Sequence, residues 1–233
     1  MKPRVTSHVG VSVDGRLDWL SEQMWLYYDL AAKLGADAMM SGSGTILAAY
    51  PDSDDTPIES TSMDSDLELI VVDSRGRIRN WRRIQSEPWW GNCIVICSET
   101  TPAAYIEYVR DVGVSQIIAG EDRVDLAAAL EQLRVRFGIE HLRIDSGGIL
   151  NGELLRAGLV DEVSVLIEPR LVGGTSPKSF FTAPDLGSRQ ETIPLELLHV
   201  EQMAEGFVWL RYAVKSRNES GTIEECAPEP ASA

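Results

Sequence analysis

The chain has 233 residues, 44% hydrophobic and 24% charged, an ordinary globular usage that fits neither a disordered nor a fibrous class and suffices for one sizeable core. Lys and Arg number 21 against 36 Asp and Glu, and the net charge of −15 repels nucleic-acid phosphates and anionic membranes, so neither partner is expected. Three cysteines without CxxC spacing and no long apolar run point to a cytoplasmic protein with reduced thiols, no metal and a small-molecule ligand.

In chain order, "SHVGVSV" (7–13) is rich in β-branched residues and closed by Asp14-Gly15, which reads as a strand and a turn. "EQMWLYYDLAAKLG" (22–35) joins helix formers to an apolar face, with Ser21 as N-cap and Gly35 as stop. "ADAMMSG" reads as a buried strand that opens onto "SGSGT". Residues 52–68 hold seven acids and no base and read as a solvated loop. "LELIVVDSRGRI" (67–78), "NCIVICSE" (92–99) and "VSQIIAGE" (114–121) read as strands of the parallel type, apolar on both faces.

Helices are expected at "AAYIEYVRDVG" (103–113) and "DLAAALEQLRVRFG" (125–138), each ending in glycine. "HLRIDSGG" then gives a strand, "NGELLRAGLV" a helix and "DEVSVLIEPRLVGG" a strand, while "LELLHVEQMAEGFVWLRYAVK" (195–215) reads as an antiparallel hairpin around Gly206. This alternation predicts one α/β domain over 1–215, a three-layer α/β/α fold with a mostly parallel sheet and a C-terminal hairpin. Residues 216–233 read as a disordered acidic tail.

Three polar, glycine-bearing segments each follow a predicted strand: "SGSGT", "DSRGR" and "DSGG". In an open α/β sheet the carboxyl ends of neighbouring strands face one crevice, so together they suggest a nucleotide cleft. Gly147 and Gly148 clear side chains from a helix start whose free N–H groups suit a pyrophosphate. Gly42 and Gly44 allow a second close approach, with the Thr45 hydroxyl as donor. Ser74 and Arg75 offer a hydroxyl and a guanidinium fork to a 2′-phosphate, which favours NADPH over NADH. Each segment taken alone is more often a tight turn, an isolated Arg75 is most often a solvated charge, and Asp14-Gly15 alone is no more than a turn. His8, His141 and His199 show no ligand spacing, and Trp81, Trp89 and Trp90 are assigned to packing or an interface rather than stacking.

"SVDGRLD", "GADAMMSGSGTILAAYP", "LIVVDSRGRI" and "IDSGGILNGELLRAGLVDEVSVLIEPRLVGG", in that order, resemble the RibD C-terminal family, from about residue 5 to about residue 214. The family comprises pyrimidine reductases of riboflavin biosynthesis with a dihydrofolate-reductase-like fold. The resemblance implies NADPH-dependent reduction of the ribosyl group of 5-amino-6-ribosylaminouracil 5′-phosphate, or of its 2,5-diamino counterpart, to ribityl. It also implies a homodimer and no metal. Val11, Thr45, Ser74 and the run Gly147, Gly148, Ile149, Leu150 and Asn151 match its NADP-binding positions. Asp145 stands for a substrate-contacting glutamate and Lys33 for a substrate-contacting arginine, with Gly15 beside the substrate and Asp14 sharing the catalytic role with Asp145. Ala49 replaces an aspartate and a downstream arginine is missing. These departures keep open a reductase of another substrate, such as a pterin, and a non-catalytic nucleotide-binding homologue.

Overall fold

Strands and helices alternate through most of the computed structural model, which describes residues 1–21, 24–50, 54–59, 65–175 and 178–215. The strands are β1 (Arg4–Ser12), β2 (Ala38–Gly42), β3 (Glu68–Val72), β4 (Cys93–Cys97), β5 (Ser115–Ile118), β6 (His141–Ile144), β7 (Glu162–Glu168), β8 (Leu195–Gln202) and β9 (Val208–Val214). The helices are α1 (Met24–Lys33), α2 (Ser43–Ala49), α3 (Trp81–Gln85), α4 (Ala103–Asp111), α5 (Leu126–Phe137) and α6 (Gly148–Arg156). All nine strands form one sheet in the order β5-β4-β3-β2-β6-β1-β7-β9-β8. Pairing is parallel from β5 through β7; β9 runs antiparallel to β7 and to β8, as the hairpin pattern predicts.

Helices cover both faces. Leu130 and Leu133 of α5 and Leu150 and Leu154 of α6 bury one face against Val5, Val9, Ile70 and Ile144. On the other face, Trp81 and Ile84 of α3 and Tyr105 and Val109 of α4 pack on Leu69 and Val71, while Leu26 and Leu30 of α1 pack on Leu166 and Trp209. Local signals fix the ends: Asp125 caps α5 by accepting from the Ala128 N–H (3.0 Å), and Gly138 closes it in the left-handed region at φ 71.

The predicted strand over 67–78 stops at Val72 because the buried Asp73 carboxylate turns the chain. Its Oδ2 accepts from the Arg77 N–H (2.7 Å), the Ile78 N–H (3.0 Å) and the Tyr105 hydroxyl (2.9 Å). Residues 54–59 and 65–67 of the acidic segment form no regular element, and the predicted tail at 216–233 lies outside the described residues. Trp81 is fully buried and donates its indole N–H to the Tyr105 hydroxyl (3.0 Å), so its role is packing. Among the described residues no helix is long and apolar enough to cross a membrane.

Candidate active site

β6 is inserted between β1 and β2, so the chain leaves the neighbouring carboxyl ends of β2 and β6 directly into two helices. Both α2 and α6 begin on an extended glycine, Gly42 (φ −81, ψ 149) and Gly147 (φ −68, ψ 171), and neither has a side-chain cap. Their first-turn N–H groups and positive dipole ends therefore open onto one crevice. Side chains tie the two starts together. The Gly42 N–H donates to Ser146 Oγ (3.1 Å), the Ser146 and Thr45 hydroxyls meet at 3.3 Å, and the Gly147 N–H donates to Thr45 Oγ1 (3.4 Å).

The crevice is a cavity of about 750 Å³, within the usual size of a cofactor site. Gly42, Gly44 and Thr45 line one side, and Gly147, Gly148, Ile149 and Leu150 the other, so seven expected cofactor residues converge. A second cavity of about 740 Å³ lies at the far end of α6, where Asp161, Asp185 and Glu191 outnumber Arg156 and Lys215. Those carboxylates and the negative end of the helix dipole make it unsuited to phosphate.

The two glycines have different reasons. A Cβ on Gly147 meets nothing within 4 Å, which leaves that side open for a close ligand approach. A Cβ on Gly148 would stand 2.1 Å from the Ser179 carbonyl oxygen and 2.5 Å from Thr182 Oγ1. Gly148 thus admits the chain segment that walls the cleft, whose Thr182 N–H donates to the Gly148 carbonyl (3.0 Å).

Several expected positions fall elsewhere. Asn151 is fully buried, accepting from Ser7 Oγ (2.8 Å) and donating to the Ser146 carbonyl (2.9 Å), so it braces the loop rather than facing the cleft. Val11 packs in the core. Ser74 and Arg75 do not line the cavity; Arg77 does, donating from Nη2 to Ser43 Oγ (2.7 Å). Gly76, in the left-handed region at φ 61, turns the chain between the two arginines, so spacing alone cannot tell which one points inward.

Asp14 accepts from Ser12 Oγ (2.6 Å) and from the N–H groups of Val172 (3.0 Å) and Gly173 (2.6 Å). These donors hold its pKa down at about 2, so it joins two loops as a fixed carboxylate and does not carry a proton. Gly15 completes that turn at φ 76. Lys33 ends α1 near the start of β6, pairs with Asp29 (3.1 Å), and stands toward the amino-terminal ends of the strands, opposite the cleft. Asp18 and Lys178, 4.0 Å apart, line the cavity from loops that carry no recognisable motif.

Asp145 directly precedes the cleft loop and sits on the face of the sheet covered by α1. Burial raises its pKa, while the Arg143 charge and a hydrogen bond from Tyr27 oppose that rise. His8 lies on the neighbouring strand, buried, with Nδ1 3.0 Å from Ser164 Oγ and Nε2 3.1 Å from the Tyr27 carbonyl. Its pKa is pushed down to about 4, chiefly by burial, so it is neutral. Cys93 and Cys97 are buried free thiols, pushed up to about 12 by burial.

The chain is similar to known proteins. Residues 3–209 match the RibD C-terminal domain family. The chain is 28% identical to the 2,5-diamino-6-ribosylamino-4(3H)-pyrimidinone 5′-phosphate reductase of Methanothermobacter thermautotrophicus over 92% of this chain and 100% of that protein. It is 30% identical to the reductase of the same name from Archaeoglobus fulgidus, over 75% and 84%. A pyrimidine reductase-like protein of Corynebacterium diphtheriae shares the fold, with a TM-score of 0.71 at 19% identity over 91% of this chain and 92% of that one.

Proposed function

The chain belongs to the RibD C-terminal domain family, and on that premise we propose that it is an NADPH-dependent reductase of 2,5-diamino-6-ribosylamino-4(3H)-pyrimidinone 5′-phosphate. The observation that carries this reading is the pair of uncapped, glycine-started helices meeting at one cavity. Their amides suit a pyrophosphate, and Arg77 at the same wall suits a further phosphate, which selects NADPH. Held by these helix starts, the reduced nicotinamide that this family of reductases uses would supply the hydride that C1′ of the ring-opened imine of the ribosylamine gains.

What remains for the protein is orientation and one proton. Burial favours the protonated form of Asp145, which suits it to give that proton to the imine nitrogen as C1′ gains the hydride; the products are the ribityl amine and the oxidised cofactor. Thr45 and Ser146 hold the two helix starts in register, and Asn151 holds the Ser146 loop. Loss of reduced-nicotinamide absorbance with the pyrimidine substrate, NADPH being used far better than NADH, is the expected result. Oxidation with a dihydropterin and none with the pyrimidine would instead support the alternative reductase.

We propose also that two copies associate along β8. It is one of the two outer strands of the sheet, and Leu195, Leu197, Leu198 and Val200 on it are 44–59% exposed. Leu198→Glu should halve the mass seen in sedimentation equilibrium, and a wild-type protein that sediments as a monomer would end this part of the reading.

A further inference from the structure

The sheet face beneath α1 is not covered by one continuous apolar layer. One cluster centres on α3 and α4 over β3 and β4, another on α1 over β7 and β9. Between them runs a polar seam of β1 and β6 side chains. Leu142 and Ile144 belong to the core on the opposite face, so alternation turns Arg143 and Asp145 into this seam together. The Asp145 N–H still donates to the Met40 carbonyl (2.9 Å), so the strand geometry holds through it, and the two residues are spaced roughly 7 Å apart along the strand.

Arg143 is only 5% exposed, and its Nε has no hydrogen-bond partner among the described residues. An idle donor on a buried guanidinium is costly unless something arrives to use it. His8 beside it cannot: with Nε2–H given to the Tyr27 carbonyl, Nδ1 accepts from Ser164 Oγ, which itself accepts from the Trp209 indole (2.9 Å). The half-exposed ring of Tyr28 on α1 and that of Tyr50 at the end of α2 stand close enough to interact electrostatically at the same place. Asp145 is the outer member of the pair, next to the cofactor cleft, and Arg143 the inner one.

Resting on the pyrimidine-reductase reading above, we infer that Arg143 and Asp145 together read one edge of the pyrimidinone ring. Arg143 donates to the 4-oxo oxygen, and Asp145 serves the exocyclic nitrogens at positions 5 and 6. The order of groups on that edge matches the order of residues in depth, and it leaves C1′ at the outer end, by the cofactor. Depth favours a carbonyl over the substrate's phosphate: Arg143 is 5% exposed at the inner end of the seam, where a phosphate dianion would have to give up its hydration.

Calorimetric titration of the NADPH-saturated full chain with two ring fragments tests this. One is 2,5,6-triaminopyrimidin-4-one; the other, 2,4,5,6-tetraaminopyrimidine, carries an amino group in place of the oxygen. Wild type should prefer the oxo fragment, and Arg143→Met should lower its affinity by about 10- to 100-fold and abolish the preference. Arg143→Lys should restore part of it. Ribose 5-phosphate binding should stay unchanged in Arg143→Met, and its melting temperature should be equal or higher, because the buried Nε has no hydrogen bond to lose.

An undiminished oxo preference in Arg143→Met overturns the inference, and so does a loss confined to ribose 5-phosphate. A large drop in melting temperature with both fragments equally weakened also overturns it, since that marks a structural arginine. Turnover of the complete substrate by wild type decides the functional reading separately. If turnover stands while Arg143→Met changes nothing, the inference alone fails; if wild type neither turns over the substrate nor binds the oxo ring, both fail.

Discussion

The cofactor cleft and the polar seam share β6 yet are built from different material. The cleft is backbone: two helix starts, two glycine N-caps and short hydroxyl bridges between them. The seam is side chain: His8, Arg143 and Asp145 brought together by strand register and covered by α1. A backbone site needs a contiguous stretch of residues and tolerates no bulk. A side-chain site needs charges that the surrounding fold must keep apart from water. The two should therefore fail differently when altered.

The largest expected effect is in the seam. Asp145→Asn removes the proposed proton donor and should lower turnover by about 10²- to 10⁴-fold while NADPH affinity, measured calorimetrically, stays within error of wild type. An unchanged turnover would remove Asp145 from the chemistry. Stability should move the other way. A carboxyl whose folded pKa is raised contributes stability below its unfolded value that is lost as pH rises through the folded value. At neutral pH the Asp145→Asn protein should then resist denaturant better than wild type, and at strongly acid pH the two should coincide.

His8 has the opposite sign. Its folded pKa of about 4 lies below the ordinary 6.5, so the unfolded chain binds more protons between those values. Stability is whole above pH ~6.5 and falls as the pH drops toward ~4, by on the order of 3 kcal/mol from this group. Denaturant midpoints across that range should show the slope in wild type and lose it in His8→Gln. In Asp145→Asn the slope should steepen, because the opposing carboxyl is gone. A flat wild-type profile with a flat Asp145→Asn profile would mean that His8 is solvated.

This division also accounts for what could be read in the sequence. Strand and helix periodicity, the terminal hairpin and the three glycine-bearing segments depend on neighbours in the chain, and they stand in the fold as expected. Gly148 was legible as a glycine but not by cause. It clears the way for Ser179 and Thr182, some thirty residues later, and no local pattern carries that contact. Arg77 and not Arg75 lines the cavity, with one left-handed glycine between them. Lys33 and Asp14 have suitable chemistry at the wrong place, since a helix end and a turn were positioned only by the assembled sheet. Arg143 carries no local motif, and only its place in β6 sets it on one face with Asp145.

In the cleft the two adjacent glycines provide an internal control. Gly148→Ala must displace the segment carrying Ser179 and Thr182, and should cost about 1–3 kcal/mol of stability together with cofactor affinity. Gly147→Ala has an ordinary φ of −68 and open space, so it should fold as wild type and weaken only NADPH binding. Equal stability of the two variants in chemical denaturation would contradict the close approach at Gly148. Undiminished NADPH binding by Gly147→Ala would mean that the ligand does not come up to this backbone.

The smallest effect separates the two arginines of one turn. Arg77 reaches the cavity wall and already donates to Ser43 Oγ, so it is held where an added phosphate would sit between α2 and the 73–78 turn. It is also half-exposed, and solvent screens part of its charge. Arg77→Ala should therefore narrow the ratio of NADPH to NADH affinity by about tenfold, the order of one charge-assisted hydrogen bond, and leave NADH binding unchanged. Arg75 is exposed and outside the cavity, so Arg75→Ala should leave that ratio where it was. The reverse outcome would mean that the 73–78 turn reorganises when the cofactor binds, making the left-handed Gly76 a hinge rather than a fixed corner. Asp73 holds this turn by hydrogen bonds from the Arg77 and Ile78 N–H groups, which Arg77→Ala keeps, while the Arg77 Nε lies at the 4.0 Å limit of an ion pair with its other oxygen, so the two single variants compare side chains on one backbone.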